Sequence, residues 1–171
     1  MFLDLINLNK IRRAILYLFV IGVTLWLQTM LLARLTVFGV KPFFVPVVAV
    51  AIGLWEGGVW GGVLGLLAGL ACDFAMTEST VTFLVLFAIY GFVSGVLAEH
   101  VINRRFVSYL ILSTLALLLT ALVQIVPHWI FRGVSLGVLL PIALLQTLWS
   151  VPFAVPAYFA CKRVSGKRRL S

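Results

Sequence analysis

Charge is scarce in this 171-residue chain, and acid is scarcer still. Charged residues make up 11% of it, with 5 Asp+Glu against 13 Lys+Arg. A soluble domain carries about 25%. The cysteines are two, Cys72 and Cys161, and the histidines two, His100 and His128. Cysteines so few and so far apart build no disulfide framework. The HExxH, P-loop and CxxC spacings and any nucleophile–base arrangement are missing, and with them the common signatures of metal, nucleotide and redox chemistry. A chain this poor in polar residues cannot cover itself in water. A soluble enzyme, a secreted disulfide scaffold and a disordered tail are all excluded.

What is there is apolar. Hydrophobic residues reach 63% and mean hydropathy is +1.19, so the solvent is lipid. The first uninterrupted run, 14–33, covers about 30 Å as a helix, the thickness of a hydrocarbon core. Lys10, Arg12 and Arg13 precede it. It is longer than a signal-peptide core and lacks the small residues of a cleavage site, and so reads as a retained anchor. The stretch 43–73 is too long for one span and is interrupted by Glu56-Gly57-Gly58. A charge at the bilayer centre costs about 2.5 kcal/mol or more, so two short helices are expected, 43–55 and 57–73, with Glu56 at a surface. The first is short unless residues 38–41 extend it or the bilayer thins. Runs at 81–98, 106–126 and 134–160 complete six spans. The expected fold is an all-α membrane protein, a single six-transmembrane-helix bundle over 1–171.

The basic excess sets orientation. With the N-terminus inside, Lys10, Arg12, Arg13, Arg104, Arg105, Lys162, Arg163, Lys167, Arg168 and Arg169 are cytoplasmic, and only Arg34, Lys41 and Arg132 lie outside. A five-span alternative divides the charges less well and turns the basic N-terminus outward, against the positive-inside rule. Both termini are therefore expected in the cytoplasm. The net +8 reads as topology and not as nucleic-acid binding.

The clearest pattern is a glycine row. Gly53, Gly57, Gly61, Gly65 and Gly69 recur every fourth residue, Asp73 takes the next place, and Gly58 and Gly62 run alongside. Gly91 and Gly95 repeat the spacing in the fourth span, with Ser94 between them. Small residues at i, i+4 let helix backbones approach closely in lipid. The row is read as packing within the chain or as a groove for a partner's helix. Asp73 ends the third span, where the helix dipole opposes a carboxylate. It either marks a helix end or acts as a functional carboxylate, compensated by water or by a cation such as Arg34, Lys41 or Arg132. Gln28, Gln124, Gln146, Thr120 and Thr147 lie inside spans and are expected to make interhelical hydrogen bonds. Pro141, Pro152 and Pro156 predict a kinked last span. Lys162, Arg163, Lys167, Arg168 and Arg169 form a basic cytoplasmic anchor that meets anionic lipid. His100 and His128 fall on opposite faces, as do Cys72 and Cys161, so no metal site, disulfide, cofactor site or catalytic centre is expected.

The region from Lys41-Pro42 through Gly95 resembles the rod shape-determining MreD family. It has the basic-Pro start of the second segment, a glycine-rich third helix ending in Asp73, and a fourth helix with Tyr90-Gly91. The chain length, six spans and a Pro-interrupted last helix running into Lys162-Arg163 also fit. The resemblance implies a non-catalytic scaffold of the bacterial plasma membrane. Such a scaffold binds the bitopic protein MreC, within a side-wall peptidoglycan machinery that includes RodA, a class B penicillin-binding protein and, indirectly, MreB. It also implies the fold of energy-coupling-factor transporter S-components, and a vitamin-binding S-component is the alternative function. Those subunits dock through a small-xxx-small pair in the first helix. Here Ala14 is followed by Leu18 and Gly22 by Trp26. The chain also departs from the family in a loop after Asp73 without glycine and in Gln146-Thr147 where an Asn is common.

Overall fold

The computed structural model describes residues 8–32, 42–75, 82–100 and 106–166. Nearly all of these are helical and none is in a strand. α1 spans Leu8–Trp26 and runs on through a π-helical turn, Leu27–Leu32. α2 (Val45–Glu56), α3 (Gly58–Ala75), α4 (Thr82–His100) and α5 (Phe106–Arg132) follow. The last segment is α6 (Leu136–Ser150), a 3₁₀ turn at Val151–Phe153 and α7 (Ala154–Ser165).

Five helical stretches are long and apolar enough to cross a membrane: Ile11–Met30, Gly58–Ala75, Thr82–His100, Phe106–Arg132 and Gly137–Ser165. The chain is thus a multi-pass membrane protein. The second expected span is different in kind. α2 has 12 residues, about 18 Å of helix, too little to cross a bilayer alone. It is apolar all round, as a helix enclosed by others must be, and every residue from Val45 to Trp55 is buried. α1, α3, α4, α5 and α7 all pack against it, while α6 leans chiefly on α5. The core is therefore a short central helix with the longer ones around it.

The break between α2 and α3 falls where the Glu56-Gly57-Gly58 signal put it. Gly57 sits at φ +95°, a backbone region that costs glycine little. Its N–H donates to the Gly53 carbonyl at 2.9 Å, and its carbonyl accepts from the Gly61 N–H at 2.8 Å. One residue thus closes one helix and opens the next, folding α3 back against α2. Glu56 is not left at a surface, as the sequence suggested. Its side chain is 14% exposed, 3.9 Å from the Arg13 guanidinium and accepting a 3.0 Å hydrogen bond from the Tyr17 hydroxyl.

Other boundaries shift for identifiable reasons. The fifth span, expected to end at 126, continues through Pro127 to Arg132; the exposed side of the helix leaves room for the missing N–H. The last span is kinked as expected, but at Pro152, where the chain tightens to 3₁₀. Pro141 stays within α6, and helix continues past 160 to Ser165.

The glycines fix how tightly this can pack. A Cβ on Gly91 would strike the Gly61 carbonyl oxygen, and one on Gly61 would lie 2.6 Å from the Gly53 Cα. By contrast a Cβ on Gly22, in α1, meets nothing within 4 Å. Gly91→Ala should therefore cost about 1–3 kcal/mol, as overpacking does, and Gly65→Leu more. Gly22→Ala should be neutral or slightly stabilising, since Ala is the better helix former. Thermal melting of the purified variants measures both; equal melting points for Gly91→Ala and Gly22→Ala contradict the packing.

Candidate functional site

The residues singled out in the sequence gather along one seam between α3 and α4. Gly61 faces the Gly91 carbonyl, Gly65 faces the Phe87 carbonyl, and Gly69 faces the backbone of Phe83 and Leu84. Gly95 rests on the peptide joining Gly57 to Gly58, and Gly53 touches Gly91 from α2. Gly61, Gly65, Gly69, Gly91 and Gly95 are thus occupied by this chain's own backbone, and Gly57 is the turn. Gly62 sits on the flank, where an added Cβ would make an ordinary 3.4 Å contact with Phe92. Three backbones, α2, α3 and α4, converge where Gly53, Gly61 and Gly91 meet.

Asp73 lies at the far end of the seam, in the last turn of α3, and is 9% exposed. One carboxylate oxygen accepts the Leu84 N–H at 3.1 Å. Leu84 belongs to the first turn of α4, whose N–H groups have no helical partner and carry the positive end of the dipole. The compensation expected from a cation is thus supplied by α4's backbone. Arg34 and Lys41 lie outside the described residues, and no ion pair joins Asp73 to Arg132. The other oxygen, Oδ1, is buried without a hydrogen-bond partner among the described residues.

A second constellation holds the start of α2. Residues 42–44 are extended rather than helical, which in a bilayer is tolerable only when every backbone group finds a partner inside the protein. Gln28, on the π turn after α1, does most of this. Its Nε2 donates to the Pro42 carbonyl at 2.7 Å, and its Oε1 accepts the Phe44 N–H at 3.3 Å. The Ser150 hydroxyl accepts the Phe43 N–H at 2.9 Å and donates to the Gln146 carbonyl at 2.7 Å. The Gln146 side chain donates to Gln124 Oε1 at 3.0 Å. Nearby, the Thr120 and Tyr90 hydroxyls pair at 3.1 Å between α5 and α4. The Phe43 ring packs on Phe83 at 5.3 Å and Phe87 at 6.2 Å. A polar network therefore links α1, α2, α5 and α6 in the half of the bundle that also holds Asp73.

The opposite, basic end carries the Arg13–Glu56–Tyr17 cluster. The Tyr17 hydroxyl also lies 3.5 Å from the Cys161 carbonyl of α7, and Tyr109 reaches the Ala154 carbonyl at 3.0 Å. Lys162 and Arg163 are exposed in the last turn of α7; Lys167, Arg168 and Arg169 lie outside the described residues. Cys72 and Cys161 are free and buried, and among the described residues no three His, Cys, Asp or Glu come together as metal ligands do.

The amides were expected to bond between helices, and Gln124 and Gln146 do so. The clamp of Gln28 on an extended strand was not legible, because nothing in the run 14–33 marks a π turn. Tyr17, Tyr109 and Ser150 were not singled out; a Tyr or Ser amid aliphatic residues is the only trace they leave. No protein-family description, curated protein or solved structure matches the chain.

Removing the clamp has a calculable effect. Gln28→Leu leaves the Pro42 carbonyl and the Phe44 N–H unpaired, at about 1–3 kcal/mol each. Replacing Gln124 and Gln146 together by Leu removes donor and acceptor as a pair and is nearly neutral. Asp73→Asn keeps a capping oxygen and should stay close to the parent, whereas Asp73→Ala should lose about 0.5–2 kcal/mol. Melting in detergent orders these variants; Asp73→Asn as damaging as Asp73→Ala would show that the charge itself matters.

Proposed function

We propose that this chain is a non-catalytic membrane scaffold of the bacterial cell-elongation machinery. It would hold the single transmembrane helix and adjoining segment of an MreC-like partner, with RodA and a class B penicillin-binding protein in the wider complex and MreB on the cytoplasmic side. What supports the reading is that the residues carrying the MreD resemblance form one structural unit. Pro42 is held by Gln28, the glycine row is locked to α4, Asp73 caps that helix, and Tyr90 ties it to α5. These side chains build a rigid α2–α3–α4 core. Around it, α1, α5 and α6 turn large apolar side chains outward, among them Phe19, Trp26, Ile111 and Leu148. A rigid centre with broad apolar flanks suits a protein whose work is to hold other membrane helices. In this reading the protein lies in the plasma membrane with six helices inserted, α2 among them, and both termini in the cytoplasm, which agrees with ten basic residues on one side against three on the other.

A second reading, a vitamin-binding S-component, draws support from one feature. The half-buried amides Gln124 and Gln146 meet beside Thr120 and Tyr90, and small-molecule sites are built from a few such polar groups in apolar walls. The two readings separate experimentally. The scaffold reading expects deletion of the gene to widen or round the cells, and an MreC-like protein to co-purify with the chain. Unchanged cell shape, together with a vitamin retained through purification, would instead establish the second.

A further inference from the structure

We infer that the basic end of α7 and the recess along α5 together form a binding site for one anionic phospholipid of the leaflet at that end. The recess, about 380 Å³, is lined by Leu110, Ile111, Thr114, Leu115 and Leu118. The Thr114 hydroxyl donates to the Leu110 carbonyl at 2.8 Å, so its polarity is satisfied within the helix and the wall is apolar. From Leu110 to Leu118 the groove runs about 12 Å along the helix axis, within one leaflet and on the scale of an acyl chain.

Its mouth is basic. Phe106, one turn nearer the end than Leu110, packs edge-on against Tyr158 at 5.2 Å. The Lys162 ammonium lies 5.8 Å over the same ring, and Arg163 follows it in the last turn of α7. Neither cation has an acidic partner: among the described residues the one ion pair joins Arg13 to Glu56. The structure thus sets unneutralised positive charge at headgroup depth beside an apolar channel that leads into the bilayer. A lone cation at that depth is satisfied by a zwitterionic headgroup or by water. Two adjacent cations without counter-charge favour a net negative one, since each basic residue near the surface adds to the attraction for anionic lipid. This site is independent of the scaffold reading.

The test uses the full chain, delipidated in detergent and reconstituted in vesicles of phosphatidylglycerol and phosphatidylcholine in equal parts. Retained lipid is then counted by native mass spectrometry. Phosphatidylglycerol should be retained over phosphatidylcholine, and the double variant Lys162→Gln, Arg163→Gln should lower its retention about tenfold. The variant's melting point in pure phosphatidylcholine should match the parent, because neither side chain packs in the core. Leu115→Trp, at an exposed position, fills the recess and should also lower retention. Inorganic phosphate alone should leave the parent's melting point unchanged. Equal retention of the two lipids overturns the inference, as does stabilisation by phosphate alone. So does a photocrosslinker at Leu115 that labels a co-purifying protein instead of lipid.

Discussion

The meeting of three backbones at Gly53, Gly61 and Gly91 is the contact on which the rest of the bundle stands. Lipid gives no hydrophobic reward for bringing two apolar helices together, so the energy must come from close van der Waals contact. Cβ atoms at these positions would overlap carbonyl oxygens and Cα atoms of the neighbouring helices. Their absence lets α3 lie along α4 and lets both enclose α2. The single-residue turn at Gly57 belongs to the same constraint, because it brings α3 back against α2 in register for Gly61 to reach Gly53.

Enclosing a 12-residue helix raises a second demand, and side chains from the surrounding helices meet it at both of its ends. At one end Gln28 and Ser150 replace the hydrogen bonds that a longer helix would have made with itself. At the other, Glu56 is neutralised by Arg13 and held by Tyr17. α1 therefore grips α2 twice, by Tyr17 and by Gln28, although most of its own surface faces outward. Tyr109 adds a third hold, reaching α7 at Ala154. Each of these bonds lies in a medium of low dielectric, where a lost partner is costly. The outer helices are consequently tied to α2 by few but specific bonds, and their apolar faces stay free for lipid or for other membrane helices.

Asp73 shows how one residue serves both the seam and the polar half of the molecule. It continues the glycine row, so its backbone runs beside α4, and at that distance its carboxylate reaches an unpaired N–H of α4's first turn. Here the dipole that opposes the charge at the end of α3 is answered by the dipole at the start of α4. The aromatic rings of Phe43, Phe83 and Phe87 close the same region, next to the network of Gln28, Gln124 and Gln146.

The sequence by itself determined the membrane as solvent, the helical class, the break at Gly57 and the kinked last segment. Each of these depends on composition or on one local feature: a run of apolar residues, a glycine with positive φ, a proline without an N–H. The four-residue glycine spacing likewise marked which face of α3 would be approached closely. Only the tertiary structure decided that α2 is enclosed rather than spanning, that Glu56 is drawn in by Arg13 and Tyr17, that Gln28 clamps an extended stretch, and that Asp73 caps α4. All of these pair groups that are distant along the chain, and a hydrogen bond across helices has no period to read. Hydrophobicity is a property of each residue and can be summed along the sequence; satisfaction of a buried polar group depends on what the fold places opposite it.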